Sequence, residues 1–473
     1  MILETFVDPA LAQVSYLIGC QQTGEALVID PARDVTPYQE AAARHGLKIT
    51  QAAETHIHAD YVSGLRELCA QPDSENNARM IFSAEGGTDW QYAFKAGDMQ
   101  PLHDGDTWMV GSIQMQAVHT PGHTPEHMVF LFTDTLAADR PMGIFTGDCL
   151  FVGDVGRPDL LETAVGIAGA GSKGAAEQFE SLQKLKQMPD YLLVFPGHSA
   201  GSACGKSLSA VLSSSLGYEK LSNLALQFDD AIAFSDWLLS GQPETPTYFA
   251  VMKRVNREGA PLLESLSEPE QLEGFILRDA LAEGQVIDAR AADEFNEAHI
   301  AGSLNIPAAQ RFPVYAGWLV DYVRPIYLIC DPGVVRSLTR HLRSIGLDNV
   351  VGYFSPPEVE EYDQILPTIT IPEVQDLLEG GALIVDVRAK SEYDEAHIPG
   401  ALHTFYGTLP TQLEMLPADH TLLITCASGI RGQIATSLLQ QHGFENVLLI
   451  DGGMDAWQAS GLPVRSSDQA AVQ

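Results

Sequence analysis

Basic residues are scarce in this sequence. Its 473 residues hold 27 Lys and Arg against 62 Asp and Glu, a formal charge of −35. Such a surface repels phosphate backbones and argues against a nucleic-acid partner. Long apolar runs are also missing. No stretch reaches the ~18 apolar residues that a membrane span needs, so no membrane partner is expected. The opening MILETFVDPALAQVSYLIG has no basic segment ahead of an apolar core, and a secretory signal is not expected. Cysteine is sparse: six, at 20, 69, 149, 204, 330 and 426, too scattered for a disulfide framework. These absences point to the cytoplasm. What remains, 45% hydrophobic residues with 41 Gly and 27 Pro, is ordinary globular composition, and the length suits about two to four domains.

Short apolar runs alternate with polar or helical stretches over the first 200 residues. SYLIG, EALVID, MIFSA, IQMQAVH, HMVFLF, PMGIFTGD and YLLVFPGH read as strands of an α/β domain. The stretch 205–245 reads as mostly helical, and 247–263 as a junction. The last 200 residues contain a repeat. VIDARAADEFNEAHIAGSLNIP begins at Val286, and IVDVRAKSEYDEAHIPGALHTF begins at Ile384. Asp288 matches Asp386, Arg290 matches Arg388, and Glu297 to Ile300 match Glu395 to Ile398. Two copies of one α/β unit with parallel strands are expected. The resulting domains are 1–250, 260–362 and 365–473.

Four clusters in the first domain suit a metal, each opening where an apolar run ends. They are THIHADY with His56, His58, Asp60 and Tyr61; HTPGHTPEH with His119, His123 and His127; TGDCLF with Asp148; and FPGHSAG with His198. Side chains at strand ends can converge at one end of a sheet. His119 and His127 read as structural histidines rather than ligands.

This pattern resembles the metallo-β-lactamase superfamily over roughly residues 1–245. The resemblance implies an αββα sandwich. The superfamily's first motif closes on a histidine that serves a second metal, and here Tyr61 stands in that place. A phenol, with a reference pKa of about 10, is a poor ligand until it is deprotonated. The one-metal sulfur dioxygenase branch is similar in its ligand pattern, and it implies His56, His123 and Asp148 as ligands of one mononuclear Fe(II). Two imidazoles and a carboxylate form the facial triad of non-haem iron. GDVGRPDL (153–160) resembles a Gly-Arg-x-Asp element of the same branch. Arg157 is expected either to bind an anionic substrate or to brace a loop through Asp159. His58, Asp60 and His198 are expected to support the ligands or bound water, and Tyr61 to fill the vacated position and offer a hydroxyl to the oxygen species. Cys204, in GSACGKS, is expected either to relay sulfane sulfur near the entrance or simply to pack a loop.

LLITCASGIRG (422–432) is an apolar run, then Cys426, then a short loop entering a helix. Loop amides, the helix N-terminus and Arg431 are together expected to favour a thiolate or persulfide. The segment 365–466 resembles a rhodanese domain, through VDVR, EAHIPGA, CxxGxR and IDGGMDAW. Asp386 and Arg388 are expected to brace its loop. The middle copy departs from the pattern with CDPGVVRS. Counting back from the helix end sets Ile329 against Cys426 and Val334 against Arg431, so Cys330 reads as displaced. The domain reads as a degenerate rhodanese, a spacer or docking unit. GYFSPPEVEE (352–361) replaces its DGG element.

The whole chain resembles the bacterial fusions of a persulfide dioxygenase with rhodanese domains. That resemblance implies small-molecule persulfides of the glutathione, coenzyme A or bacillithiol type as substrates. Their sulfane sulfur would be oxidised by O2 to sulfite. Cys426 would carry a second sulfane sulfur to sulfite, making thiosulfate, or run in reverse. Relatives of this kind often self-associate, so a homo-oligomer is one expected state. The competing reading is a zinc thioester hydrolase of the glyoxalase II type with a sulfurtransferase appended.

Overall fold

The computed structural model describes residues 1–70, 78–163, 166, 169–273, 276–356 and 362–467. The chain divides into two compact units. One comprises Met1–Leu266 with Arg343–Gly346, the other Ser267–Leu342 with Leu347–Gln473. Among the described residues, no helix is long and apolar enough to cross a membrane.

The first unit stacks two six-stranded sheets. One runs β1 (Ile2–Asp8), β2 (Gln13–Cys20), β3 (Glu25–Ile29), β4 (Lys48–Ala53), β5 (Arg79–Ser83), β6 (Met99–Leu102) in spatial order. The other contains β7 (Thr107–Val110), β8 (Ile113–His119), β9 (Met128–Asp134), β10 (Gly143–Gly147), β11 (Leu193–Pro196) and β12 (Ser214–Ser215), in the spatial order β12-β11-β10-β9-β8-β7. Both faces of the central strands are apolar because both are covered. Tyr16, Ile18, Leu27 and Ile29 meet Met115, Phe130, Phe132 and Phe145 between the sheets. The alternate residues Leu17, Ala26 and Val28 meet the helix Thr36–Arg44. On the far side Leu131, Ile144 and Val194 meet Phe179, Leu182, Phe234 and Leu238. This is the expected αββα sandwich.

All the runs read as strands are strands. β1, β4, β6, β7 and β12 were not expected: β1 is a half-exposed edge, β4 relies on alanines, which carry little strand signal, and β6, β7 and β12 are only two to four residues long. The stretch 205–245 is only partly helical, with helices at Leu216–Ser222 and Ala231–Leu239. Its serine-rich start instead runs as loop and edge strand β12, since serine hydroxyls compete for backbone groups. The expected junction at 247–263 contains a helix, Phe249–Glu258, with Phe249, Met252 and Asn256 buried. A buried asparagine interrupts the apolar period that would have announced it.

The second unit holds two five-stranded sheets, parallel throughout. The middle copy has β13 (Glu270–Gln271), β14 (Gln285–Asp288), β15 (Leu304–Asn305), β16 (Ile326–Ile329) and β17 (Val350–Phe354). The last copy has β18 (Thr368–Ile369), β19 (Leu383–Asp386), β20 (Leu402–His403), β21 (Leu422–Thr425) and β22 (Val447–Ile450). Their spatial orders, β13-β17-β16-β14-β15 and β18-β22-β21-β19-β20, are the same. The copies pack on each other. Trp318 lies 5.0 Å from Phe405, ring centre to ring centre, and Ser437 Oγ accepts from the Asn305 amide at 3.1 Å.

Sheet register corrects the alignment of the two loops. Asp288 pairs with Ile329 in one copy, and Asp386 with Thr425 in the other. Cys330 therefore stands where Cys426 stands, and it is not displaced. Counting from the helix end failed because the helix of the middle copy, Val335–Ser344, is two residues shorter than Ile430–Gln441, whereas its span from cysteine to helix is one residue longer. The helices begin at Val335 and Ile430. Of the 352–361 stretch, 357–361 lie outside the described residues.

Candidate functional site

His56, His123 and Asp148 follow β4, β8 and β10, and all three are buried. One donor atom from each lies within 4.8 Å of the others. Asp148 Oδ2 is 3.4 Å from His123 Nε2 and 4.0 Å from His56 Nε2. It is buried with no hydrogen-bond partner. An orphaned carboxylate oxygen facing two imidazole nitrogens fits a divalent cation, because such an atom is costly to leave unpaired. The far side of each ring is fixed. His123 Nδ1 donates to the Arg157 carbonyl at 2.9 Å, which leaves Nε2 as the lone-pair nitrogen. His56 Nδ1 meets Thr55 Oγ1 at 3.0 Å, and that hydroxyl donates to Asp30 Oδ2 at 3.0 Å. Burial lowers the pKa of both histidines and keeps them neutral. Burial opposes ionisation of Asp148, but His198 and the other histidines hold it well below the usual carboxylate range.

His198 bridges two carboxylates, with Nδ1 2.8 Å from Asp148 Oδ1 and Nε2 2.6 Å from Asp60 Oδ2. Burial disfavours its charge, yet the flanking carboxylates raise its pKa well above the usual range. Cys204 is buried beside this pair, and Asp60, His198 and Cys204 form a second donor cluster within 4.8 Å. His58 does not reach Asp148. Its Nε2 bonds Asp30 Oδ1 at 3.2 Å, and its Nδ1 is buried with no partner. Burial works against its charge, and Asp30 pushes its pKa up to about 9. Tyr61 gives its hydroxyl to the Asp30 carbonyl at 3.3 Å, so the expected donation to an oxygen species is not its contact here.

Arg157 is a brace. It is 1% exposed. It forks onto Asp159 at 2.8 and 2.5 Å and donates to the Pro243 carbonyl at 2.7 Å. Its donors are used internally, so of its two expected roles the contacts are those of the brace through Asp159 and not those of an anion binder. His127 and His119 are structural: His127 Nε2 accepts the Asp148 amide, and His119 Nε2 meets the Pro125 carbonyl.

Sequence reasoning missed Asn256. Its side chain donates to the carbonyls of His58 (2.8 Å) and Tyr61 (2.7 Å) and accepts from the Ser63 amide (2.9 Å). Three of the four hydrogen bonds open to a side-chain amide hold the first metal loop. Asp30 was also missed, and it ties Thr55, His58 and Tyr61 together. The buried polar residue in an otherwise apolar helix pattern was the available signal for Asn256.

In the last copy, Cys426 is buried and its Sγ accepts the Gly429 amide at 3.1 Å. Gly429 opens the helix at φ 118°, a conformation that favours glycine. The loop carbonyls turn away: Cys426 O accepts from Met454 N and Ala427 O from Asp455 N, at 2.8 and 3.0 Å. The DGG element allows this approach, since a Cβ on Gly453 would sit 2.4 Å from Cys426 O. Arg431 is not a bare charge. It forks onto Glu392 at 2.5 and 2.8 Å. Arg388 forks onto Asp386 and reaches the Ala396 carbonyl, as a loop brace does.

Residues 8–198 match the family described as Metallo-beta-lactamase superfamily, and residues 276–355 and 370–460 match Rhodanese-like domain. A crystal structure of a metallo-beta-lactamase from Staphylococcus aureus subsp. aureus COL is 40% identical, with a TM-score of 0.68. The match covers 75% of this chain and 99% of that one. The hydroxyacylglutathione hydrolase of Rhodospirillum rubrum is 31% identical over 183 residues, 39% of this chain and 60% of the hydrolase. The human mitochondrial persulfide dioxygenase ETHE1 is 26% identical over 202 residues, 42% of this chain and 68% of that protein.

Proposed function

We propose that this chain, which belongs to the metallo-beta-lactamase superfamily and carries two rhodanese-like domains behind that domain, is a persulfide dioxygenase coupled to sulfur transfer. The observation that carries the reading is the three-donor set of His56, His123 and Asp148, with tyrosine at position 61 where a second-metal histidine would stand. An Fe(II) held by these residues would supply open coordination positions for O2 and a substrate sulfur. The chain's own groups prepare that set. The Arg157 carbonyl and the Thr55–Asp30 relay orient the two imidazoles, and His198 holds Asp148 by its other oxygen. At the second site, the amide of Gly429 and the helix behind it stabilise negative charge on Cys426 sulfur. The substrates proposed are low-molecular-weight persulfides, with sulfite and thiosulfate as products, in sulfide detoxification.

A zinc-dependent thioester hydrolase is the second reading. The relatives favour it, since more of them are named as hydrolases than as persulfide dioxygenases. The unpartnered His58 Nδ1 supports it too, as a spare imidazole donor in the same loop. One experiment separates the two. The protein is loaded anaerobically with Fe(II) or Zn(II), then given glutathione or coenzyme A persulfide with O2, or a glutathione thioester. The first reading expects O2 uptake and sulfite with iron, lost in His123→Ala and Asp148→Ala. Thioester turnover with zinc and no O2 uptake with iron would establish the second.

A further inference from the structure

We propose that the middle copy completes the Cys426 site: the Tyr315 hydroxyl and the Arg311 guanidinium bind the sulfonate oxygens of sulfite and thiosulfate beside the sulfur. This rests on the sulfur-transfer half of the proposed function. It gives the middle copy, read from the sequence as a spacer or docking unit, a part in that reaction. Arg311 caps the helix Phe312–Leu319. Arg311, Tyr315 and Trp318 follow one another at spacings of four and three residues, so they share one face of it. That face meets the last copy. The Tyr315 ring lies 5.8 Å from the Tyr406 ring, and the Trp318 ring 6.2 Å from it. Trp318 approaches the chain at Gly407 so closely that a Cβ there would sit 2.4 Å from its ring. Tyr406 is fixed beside the cysteine loop. Its amide donates to the Val387 carbonyl at 3.1 Å, and the Val387 amide donates at 3.0 Å to the carbonyl of Thr425, the residue before Cys426.

The last copy by itself offers an oxyanion little. Arg431 forks onto Glu392 at 2.5 and 2.8 Å, so the guanidinium of the loop is taken. Gly429 has given its amide to the Cys426 sulfur. The missing donors stand across the interface between the copies. Tyr315 is half-buried, and its hydroxyl has no hydrogen-bond partner among the described residues. Arg311 is exposed, and its guanidinium has neither an ion pair nor a hydrogen bond among the described residues. The charges around the sulfur reach both partners. Burial raises the Tyr315 pKa, Arg311 and Arg431 pull it down, and Cys426 pushes it up again. The net shift is upward, so the phenol keeps its proton and remains a donor. In a chain of charge −35, an unpaired guanidinium also supplies the local attraction that a sulfite dianion needs.

The step needs no further reagent. Cys426 carries the sulfane sulfur as Cys–S–SH. Sulfite attacks that terminal sulfur with the lone pair on its own sulfur, and the new S–S bond makes thiosulfate. The bond from the terminal sulfur to Cys426 Sγ breaks, and its electron pair stays on Sγ, where the Gly429 amide receives the charge. The proton of the terminal sulfur goes to solvent. The sulfonate group is present before and after, so the same two donors serve sulfite as acceptor and thiosulfate as donor in reverse. Cyanide accepts the same sulfur but has no sulfonate oxygens for these donors to hold.

The test is run without O2, so that no sulfite forms by oxidation. The full-length protein is persulfidated with glutathione persulfide, desalted, and mixed with sulfite or with cyanide, with Cys426→Ser as the blank. Thiosulfate or thiocyanate is followed, and a rate constant is taken for each acceptor. Tyr315→Phe should lower the sulfite constant about tenfold, the scale of one hydrogen bond to a charged group. Arg311→Gln should lower it about fivefold at low salt and less at high salt, because its charge is exposed. The ratio of the sulfite constant to the cyanide constant should fall by the same factors. An unchanged ratio in either variant overturns the proposal, even where both constants drop, since a merely loosened pocket slows both acceptors. If Tyr315→Phe does not fold, the exposed Arg311→Gln decides alone. A wild type that passes sulfur to cyanide but not to sulfite also overturns the proposal and leaves sulfur transfer by Cys426 standing. A wild type that passes sulfur to neither overturns both.

Discussion

The two rhodanese-like copies are built alike and differ where chemistry would occur. Both carry the same strand order and a buried fork of arginine onto aspartate, Arg290 on Asp288 and Arg388 on Asp386. Both stack a histidine on an aromatic ring one helical turn earlier, His299 on Phe295 and His397 on Tyr393, at 3.8 and 4.0 Å. The cysteine also has the same place at the end of the fourth strand. The third residue after each cysteine is glycine, and there the copies part. Gly429 gives its amide to Cys426 sulfur, whereas Gly333 gives its amide to Asp331 Oδ1 at 2.6 Å. The carboxylate closes a turn on itself and takes the hydrogen bond that would have served the sulfur. It also adds a negative charge beside it. Burial first, then Asp288 and Asp331, push the Cys330 thiol up to about 12. A shared fold therefore does not give the two sulfurs the same surroundings. One side chain that captures one amide removes from Cys330 the hydrogen bond that Cys426 receives.

The sharpest way to break this comparison is to remove each sulfur in turn. Cys426→Ser should abolish thiosulfate–cyanide sulfur transfer, by more than about a thousandfold. Cys330→Ser should leave it unchanged. Equal losses would make the middle copy an active partner. Next in size are the braces. Asp288→Ala and Asp386→Ala each strand a buried guanidinium and should cost about 3 kcal/mol in urea unfolding of their copy. A large difference between them would show that the copies are not equally built. A smaller effect is expected from Asp331→Ala, which returns the Gly333 amide to the loop. Cys330 should alkylate about tenfold faster at pH 8, one pKa unit in a thiol, and unchanged alkylation would trace its inertness to burial alone. The least effect is expected from Glu392→Gln. It frees Arg431 from its carboxylate and should lower the KM for thiosulfate by roughly threefold, the scale of one partly exposed ion pair.

Much of this was legible in the chain because its signals are local. The repeat, its Asp–x–Arg and EAHI segments and the apolar runs of the sandwich need only neighbours in sequence to be read. So does the histidine pattern around His56 and His123. The reading failed where contacts are distant. Asn256 fixes the loop of His58 and Tyr61 from a helix that looked like a junction, and nothing in the residues near it names that partner. Arg157 was expected either to bind an anion or to brace a loop through Asp159, and its guanidinium takes the brace, with the distant Pro243 carbonyl as a partner that the sequence did not name. Cys330 looked displaced because counting from a helix end assumes helices of equal length, whereas strand pairing fixes the place of the cysteine directly.

The sequence alone determined three domains, their order, the donor residues at the ends of strands, and the position of Tyr61. Periodic burial and short motifs are enough for that. Tertiary structure decided which donors share a point in space. It grouped His56, not His58, with Asp148, brought Cys204 to Asp60 and His198, and paired Arg431 with Glu392. Coordination and ion pairing act over a few ångströms between groups far apart in the chain, and only the fold sets those distances.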